Sequence, residues 1–314
     1  MDLWIEKNDP RFGVLVILFP RREETMESIS KFLGLTPQPD ESEEGYLPST
    51  SALKLAVEKK SGYEPASFST KYEGKEKILV ICTEERYLTM ANDKKFYSGH
   101  HPVETFGVIL HLEAAGFDLD FCTPTGGSVK IEEWALPSAE SIIEDAMKRY
   151  KEKLEKPLSL SNVATELDSL PYVAVFIPGG HGALHLSDNK QVGQVLQWFM
   201  NKEKHVISIC HGPAAFLAAS SDNETDFLFK GYKIACFPDM MDKTLPSLGY
   251  LPGPLKFFYG QRLKEKGVTI VNVMANGAVH QDRKLLTGDS PKAINGLGKL
   301  AAEALLAELA PENK

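Results

Sequence analysis

A cysteine stands where a buried strand must end and turn. His205-Val206-Ile207-Ser208-Ile209 is short, β-branched and largely apolar, and Cys210-His211-Gly212-Pro213 follows it directly. Such a run, without polar alternation, is the pattern of a strand covered on both faces. Beyond the turn, Ala214-Ala215-Phe216-Leu217-Ala218-Ala219 is a strong helix former, and Pro213 is tolerated in a first helical turn, where its missing N–H is not needed. The free amides of a helix start lower the energy of nearby negative charge, so this placement favours a thiolate at Cys210. His211 is a proton carrier next to it, and the small Gly212 permits close approach of backbone or substrate. A second apolar strand, Val173-Ala174-Val175-Phe176-Ile177, ends in Pro178-Gly179-Gly180-His181-Gly182. Glycines Gly179 and Gly180 can aim backbone amides inward, and two such loops at neighbouring strand ends would form an oxyanion hole beside a nucleophile. An isolated free cysteine is more commonly a buried structural thiol; the adjacent histidine and the second glycine turn favour chemistry here.

A free thiol is only a few per cent ionised at neutral pH, so a nucleophile needs help. His211 needs a partner that fixes its tautomer. Phe237-Pro238-Asp239-Met240-Met241-Asp242 offers two carboxylates after the next apolar segment, and the residues alone leave Asp239 and Asp242 both open. Glu104 lies at the start of another helical stretch, where an acid also serves simply to complement the helix dipole.

These residues need a scaffold, and from residue 76 the pattern alternates strand and helix, the signature of a parallel sheet covered on both faces. Strands are expected over 76–82, 117–122, 172–177, 205–209, 232–237 and 268–273. Helices are expected over 104–115, from 137–138 to about 154, over 190–202, 211–219, 255–266, and from the Asp289-Ser290-Pro291 cap to about 309. Residues 20–75 break this rhythm, and the acidic, proline-bearing stretch 36–45 reads as a loop or linker.

The 314 residues can bury a full α/β core, and no run approaches a membrane span. The apolar run Gly13–Phe19 is too short for an anchor and is followed by Arg21 and Arg22, the wrong flank for a signal peptide. A net charge of −8 argues against a nucleic-acid groove as the main function. The cysteines at 82, 122, 210 and 236 lie in or beside apolar strand patterns rather than in loops, which reads as reduced thiols of a cytoplasmic protein.

Taken in order, Lys77-Ile78-Leu79-Val80-Ile81, Glu85-Arg86-Tyr87-Leu88, His101-Pro102-Val103-Glu104-Thr105, Phe176-Ile177-Pro178-Gly179-Gly180-His181-Gly182-Ala183-Leu184, Ile209-Cys210-His211-Gly212-Pro213, Phe237-Pro238-Asp239 and Arg283-Lys284-Leu285-Leu286-Thr287-Gly288-Asp289-Ser290-Pro291 resemble the PfpI superfamily of class I amidotransferase-like folds. Within it they are similar to the group of heat-shock chaperones, glyoxalase III enzymes and protein deglycases. The resemblance spans roughly residues 75–310. It implies a flavodoxin-like α/β sandwich over 76–310, with a smaller second domain built from the arm (1–75) and an insertion near 128–170. It implies Cys210, His211, Asp242 and Glu104 as catalytic residues, with Asp239 left to capping or turn formation. Some members hold a metal between the domains; the matching positions here are Glu113, Asp118 and Tyr150, both histidines are missing, and neither metal nor cofactor is expected. The implied activity is glutathione-independent conversion of methylglyoxal to lactate, or removal of early glycation adducts, by a homodimer that also holds unfolded clients. The alternatives are a chaperone with an incidental thiol, or a PfpI-type peptidase or amidohydrolase. A glutamine amidotransferase would carry a C-terminal His-x-Glu motif, which is absent.

Overall fold

The computed structural model describes residues 34–220 and 227–309; the apolar run Gly13–Phe19 lies outside them. Among the described residues, seven strands form the main sheet, in the spatial order Val279–Asp282, Leu285–Gly288, His205–Ile209, Tyr172–Ile177, Lys77–Ile81, Asp118–Thr123, Leu158–Ser159. All pairs are parallel except the edge hairpin of Val279–Asp282 with Leu285–Gly288. The period of two in a strand divides the core: Ile78 and Val80 face a layer with Phe106, Ile294 and Leu297, while Leu79 and Ile81 face a layer with Val192, Leu196 and Leu263. The first layer is built by helices Pro102–Ala114 and Ile294–Leu309, the second by Lys190–Asn201 and Tyr259–Glu265. This is the parallel α/β sandwich expected.

The expectations miss at one end of the sheet. Residues 232–237 and 268–273 supply only a two-residue parallel pair, Lys233–Ile234 with Thr269–Ile270, outside the main sheet. Side chains replace the ladder beyond it. Ala235 N–H donates to Thr287 Oγ1 (2.9 Å), Cys236 N–H to Asn272 Oδ1 (3.1 Å), and Asn272 Nδ2 to the Cys236 carbonyl (2.9 Å). The place beside His205–Ile209 goes to Leu285–Gly288 instead.

The stretch read as a linker forms a tight hairpin: Gln38–Pro39 pairs with Tyr46–Leu47, and Asp40 Oδ1 accepts from the Ser42 backbone (3.1 Å) and hydroxyl (2.9 Å) in the turn. This hairpin joins Lys95–Tyr97 and Tyr87–Thr89 in a separate four-stranded sheet. Helix Thr50–Ala56 follows, capped by Ser49, whose Oγ accepts from Ala52 N–H (3.1 Å). Of the insertion, residues 131–140 meet the arm and the small sheet: Ala139 N–H donates to the Lys59 carbonyl (2.8 Å), Ser61 N–H donates to Glu140 Oε1 (2.5 Å), and Trp134 packs edge-on against Phe96 of the sheet that the arm hairpin joins. Its helices Ile142–Arg149 and Lys151–Glu155 instead lie in the Phe106 core layer, and Leu158–Ser159 closes the main sheet. No described helix is long and apolar enough to cross a membrane.

Candidate active site

Cys210 turns the chain at φ +57°, in the left-handed region that costs a residue with a Cβ about 1–2 kcal/mol. Three hydrogen bonds hold it there. Its N–H donates to the Gly288 carbonyl (2.8 Å), and its own carbonyl accepts from Phe237 N–H (3.0 Å) and the Tyr259 hydroxyl (2.9 Å). The next residues wind as 3-10 turns over Gly212–Ala219, in place of the expected α-helix. A Cβ at Gly212 would run into the Ile177 carbonyl and Ser208 Oγ, so the space this glycine yields is taken by the protein's own chain and not by substrate.

His211 Nδ1 lies 3.3 Å from the sulfur, and its Nε2 lies 2.9 and 3.1 Å from the two oxygens of Asp242. All three residues are buried. Burial acts to raise Asp242, but the neighbouring imidazoles outweigh it and hold its carboxyl down at about 2. A carboxylate only accepts, so Nε2 of His211 carries the proton and Nδ1 is left to accept from the thiol. Of the two carboxylates the sequence leaves open, only Asp242 reaches His211. Asp239 accepts from the Gly260 (3.0 Å) and Gln261 (2.6 Å) amides and so caps helix Tyr259–Glu265.

Glu104 enters from the first turn of helix Pro102–Ala114 and is buried beside the sulfur. The approach is close enough that a Cβ at Gly179 would run into Glu104 Oε2 and come within 2.7 Å of Cys210 Cβ. Burial raises the Glu104 carboxyl to about 8, against the pull of the Cys210 thiol and the Gly180 amide towards its charged form. It therefore holds a proton at neutral pH. Gly180 has φ +91°, and its neighbour's carbonyl is fixed by His100, whose Nδ1 donates to Gly179 O (2.9 Å) while its Nε2 accepts from Thr83 N–H (2.8 Å).

The resting state of the thiol differs from the expectation. Burial pushes Cys210 up, the hydrogen bond with Glu104 and the charge of Asp242 add to this, and only the His211 amide pulls the other way. With short 3-10 turns in place of a helix, a single amide does not offset full desolvation. Ionisation of the sulfur therefore depends on handing its proton to His211.

The positions matched to a metal site elsewhere are engaged within the protein. Glu113 accepts from Arg149 Nη2 (2.8 Å) and the Tyr150 hydroxyl (3.0 Å), while Asp118 lies exposed at a strand start. Among the described residues, the one group with metal-ligating donors in reach of each other is His181, His211 and Asp242, whose ligand atoms lie within 4.8 Å. It is the cluster that serves the thiol.

Several residues around the sulfur carry no role in the sequence reading. His181 Nε2 also donates to Asp242 (3.3 Å), and its ring lies 4.2 Å from that of His211. Tyr250 and Phe96 pack against His181, and Glu132 shares the wall of the same cavity of about 340 Å3. Ala52, Leu55 and Ala56 of the arm also line it. His181 stands in a glycine loop already conspicuous in the sequence. Glu132 and the arm helix reach the site only through long-range packing, for which the local sequence carries no signal.

The profile of the DJ-1/PfpI family matches residues 97–304, a span that contains Glu104, Gly179, Gly180, Cys210, His211 and Asp242. The chain belongs to the DJ-1/PfpI family. Among its relatives in this family, the protein/nucleic acid deglycase HchA of Pseudomonas aeruginosa (strain UCBPP-PA14) is 42% identical over 277 residues, covering 86% of this chain and 95% of the relative. The protein of the same name from Escherichia coli (strain IAI39) is 43% identical over 278 residues, covering 87% and 97%. Glyoxalase III from Candida albicans shares the fold, with a TM-score of 0.58 at 22% identity over 74% of this chain and 97% of that one. The Francisella tularensis Rapid Encystment Protein does so with a TM-score of 0.61 at 18% identity, over 74% and 99%.

Proposed function

We propose that this protein is a cofactor-independent glyoxalase and deglycase that converts methylglyoxal to lactate, or releases early glycation adducts, by covalent catalysis at Cys210. The observation that carries this reading is the buried relay of Cys210, His211 and Asp242 with a protonated Glu104 beside the sulfur. Identity of 42–43% to proteins named as deglycases supports it. In this reading the sulfur attacks the aldehyde carbon while the thiol proton passes through His211 to the carbonyl oxygen, giving a hemithioacetal. Asp242 stabilises the transient imidazolium. The hydrogen on the aldehyde carbon then moves as a proton, through His211 or Glu104, to the neighbouring carbon, while the hydroxyl proton of the hemithioacetal passes to the neighbouring oxygen. The result is a thioester of lactate, which water cleaves to restore the thiol. One carbon is oxidised and its neighbour reduced, so no external redox partner is needed. The Gly179–Gly180 turn and the His211 amide serve the oxyanions.

Four cysteines that are all free thiols fit a reducing, cytoplasmic setting. The exposed Leu55 and Leu248 at the cavity mouth, with exposed Met240 nearby, fit a holding function for unfolded clients. The homodimer rests on the family resemblance alone.

The test is to incubate the protein with methylglyoxal, and separately with a preformed adduct of methylglyoxal and a blocked arginine, without glutathione, and to measure lactate by chromatography. Lactate from both supports the full reading. Lactate from the free dicarbonyl alone restricts it to a glyoxalase, and none from either overturns it.

A further inference from the structure

Glu132 is a buried acid that the mechanism above does not use. Its backbone is fixed without any help from its side chain: its N–H donates to the His100 carbonyl (2.9 Å), its carbonyl accepts from Ala135 N–H (2.8 Å), and Arg86 Nη1 donates to the preceding Ile131 carbonyl (2.9 Å). The side chain accepts from Ser98 Oγ through Oε1 (3.1 Å), while Oε2 is buried without a hydrogen-bond partner. Leaving a buried polar atom unsatisfied costs about 1–3 kcal/mol. A carboxyl present only to brace a loop would engage both oxygens, as Asp289 does with three backbone amides and a hydroxyl. Glu132 instead forms part of the wall of the thiol cavity, as Glu104 does.

Resting on the reaction proposed above, we propose that Glu132 is a second acid–base residue of the site and hydrogen-bonds the second carbonyl oxygen of the dicarbonyl, the one beside the carbon that Cys210 holds. Glu104 lies against the sulfur and serves the first carbon. When the proton leaves that carbon, negative charge develops on the second oxygen. A neutral carboxylic acid there gives its proton to that oxygen, which keeps it as the hydroxyl of lactate, and Glu132 is reprotonated by the proton that the first oxygen releases as it becomes the thioester carbonyl, so the exchange balances within the site. Burial raises Glu132 to about 7, against the pull of the His181 ring and amide and of the Ser98 hydroxyl towards its charged form. Tyr250 and His101 are further titratable groups on the same cavity wall. Placing an acid at a developing oxyanion is worth about 100- to 10,000-fold in rate.

The experiment follows lactate formation from methylglyoxal across pH 5 to 9, as an order-of-magnitude window around these groups. Glu132→Gln keeps the shape and the bond to Ser98, and is expected to lower kcat about 100-fold or more. Mass spectrometry should still find substrate bound to Cys210, and the fall in kcat as pH rises through the neutral range should disappear. Ser98→Ala removes a donor that favours the charged carboxyl, so this fall should move to higher pH; the shift can be read without relying on Glu132→Gln to fold. A Glu132→Gln enzyme within about threefold of the native kcat with an unchanged pH profile, or a Ser98→Ala profile that does not move, overturns the inference alone. A native protein that makes no lactate overturns the proposed reaction and this inference with it.

Discussion

Three buried acids near two neighbouring strand ends show how one fold separates structural carboxyls from working ones. After strand Leu285–Gly288, Asp289 accepts the backbone N–H groups of Asn276, Gly277 and Ala278 at 2.9–3.0 Å and the Ser290 hydroxyl at 2.6 Å. Around the end of strand His205–Ile209, Glu104 and Glu132 each keep one oxygen buried without a partner, and both are raised well above the usual carboxylate range. Both regions bury carboxyls, but Asp289 is fully satisfied whereas Glu104 and Glu132 are not. A satisfied carboxyl stabilises the fold. An unsatisfied one is held neutral by desolvation and so can carry a proton to or from a substrate.

Asp242 is the working acid that remains charged, and its loss should have the largest effect in this comparison. Asp242→Asn is expected to lower kcat by roughly a thousandfold or more, because the Nε2 proton of His211 loses its acceptor and the relay its tautomer. Asp239→Asn should change kcat less than about threefold, since it touches only helix amides; steady-state lactate assays on both, after melting curves show each to be folded, decide this. A larger loss from Asp239→Asn would invert the assignment.

Gly179→Ala probes the crowding around Glu104. The added methyl would occupy the place of Glu104 Oε2, so turnover should fall by about one to two orders of magnitude with a smaller change in melting temperature. Equal activity would show that Glu104 can move away without consequence.

The protonated state of Glu104 makes a prediction about stability and pH. Its folded pKa, raised to about 8, lies above the ordinary carboxylate value, so its contribution is fully present below the unfolded pKa and is lost as pH rises through the folded one. Native stability relative to Glu104→Gln should therefore decline across that window by up to about 1.4 kcal/mol per pH unit. Denaturant unfolding at pH 5 and pH 8 measures it, and a difference independent of pH would mean that Glu104 is charged. The smallest effect on chemistry belongs to Asp289→Asn, which should cost about 1–3 kcal/mol of stability and leave the kcat of the folded fraction unchanged.

The parts of the site legible in the sequence are those set by local chemistry. A β-branched run broken by Cys210-His211-Gly212-Pro213, and another broken by Gly179-Gly180, announce their turns because strand propensity and turn residues act over a few positions. Asp242 is not local in this sense: two carboxylates follow the apolar segment, and only the family register chooses between them. Strand Leu285–Gly288 is four residues long and its partner Val279–Asp282 is polar, so pairing and not periodicity makes them strands. The 232–237 segment is apolar enough for a strand, yet side chains of Thr287 and Asn272 take its hydrogen bonds. Glu132 and helix Thr50–Ala56 reach the cavity from distant parts of the chain, and no neighbouring residue signals either placement. The thiolate expected at Cys210 fails for a related reason. The helix-start argument is local, whereas burial by Glu104, Asp242 and the arm is not.

The central claim is that Cys210 forms the covalent intermediate, and the most direct measurement is lactate formation from methylglyoxal, without glutathione, by the native protein and by Cys210→Ser. Serine keeps the shape but has a far higher pKa, and His211 alone would have to activate it. The account predicts a loss of at least about a thousandfold at an unchanged melting temperature, with suppression of client aggregation retained. Turnover that survives Cys210→Ser would contradict the thiol mechanism and leave the holding function as the better reading.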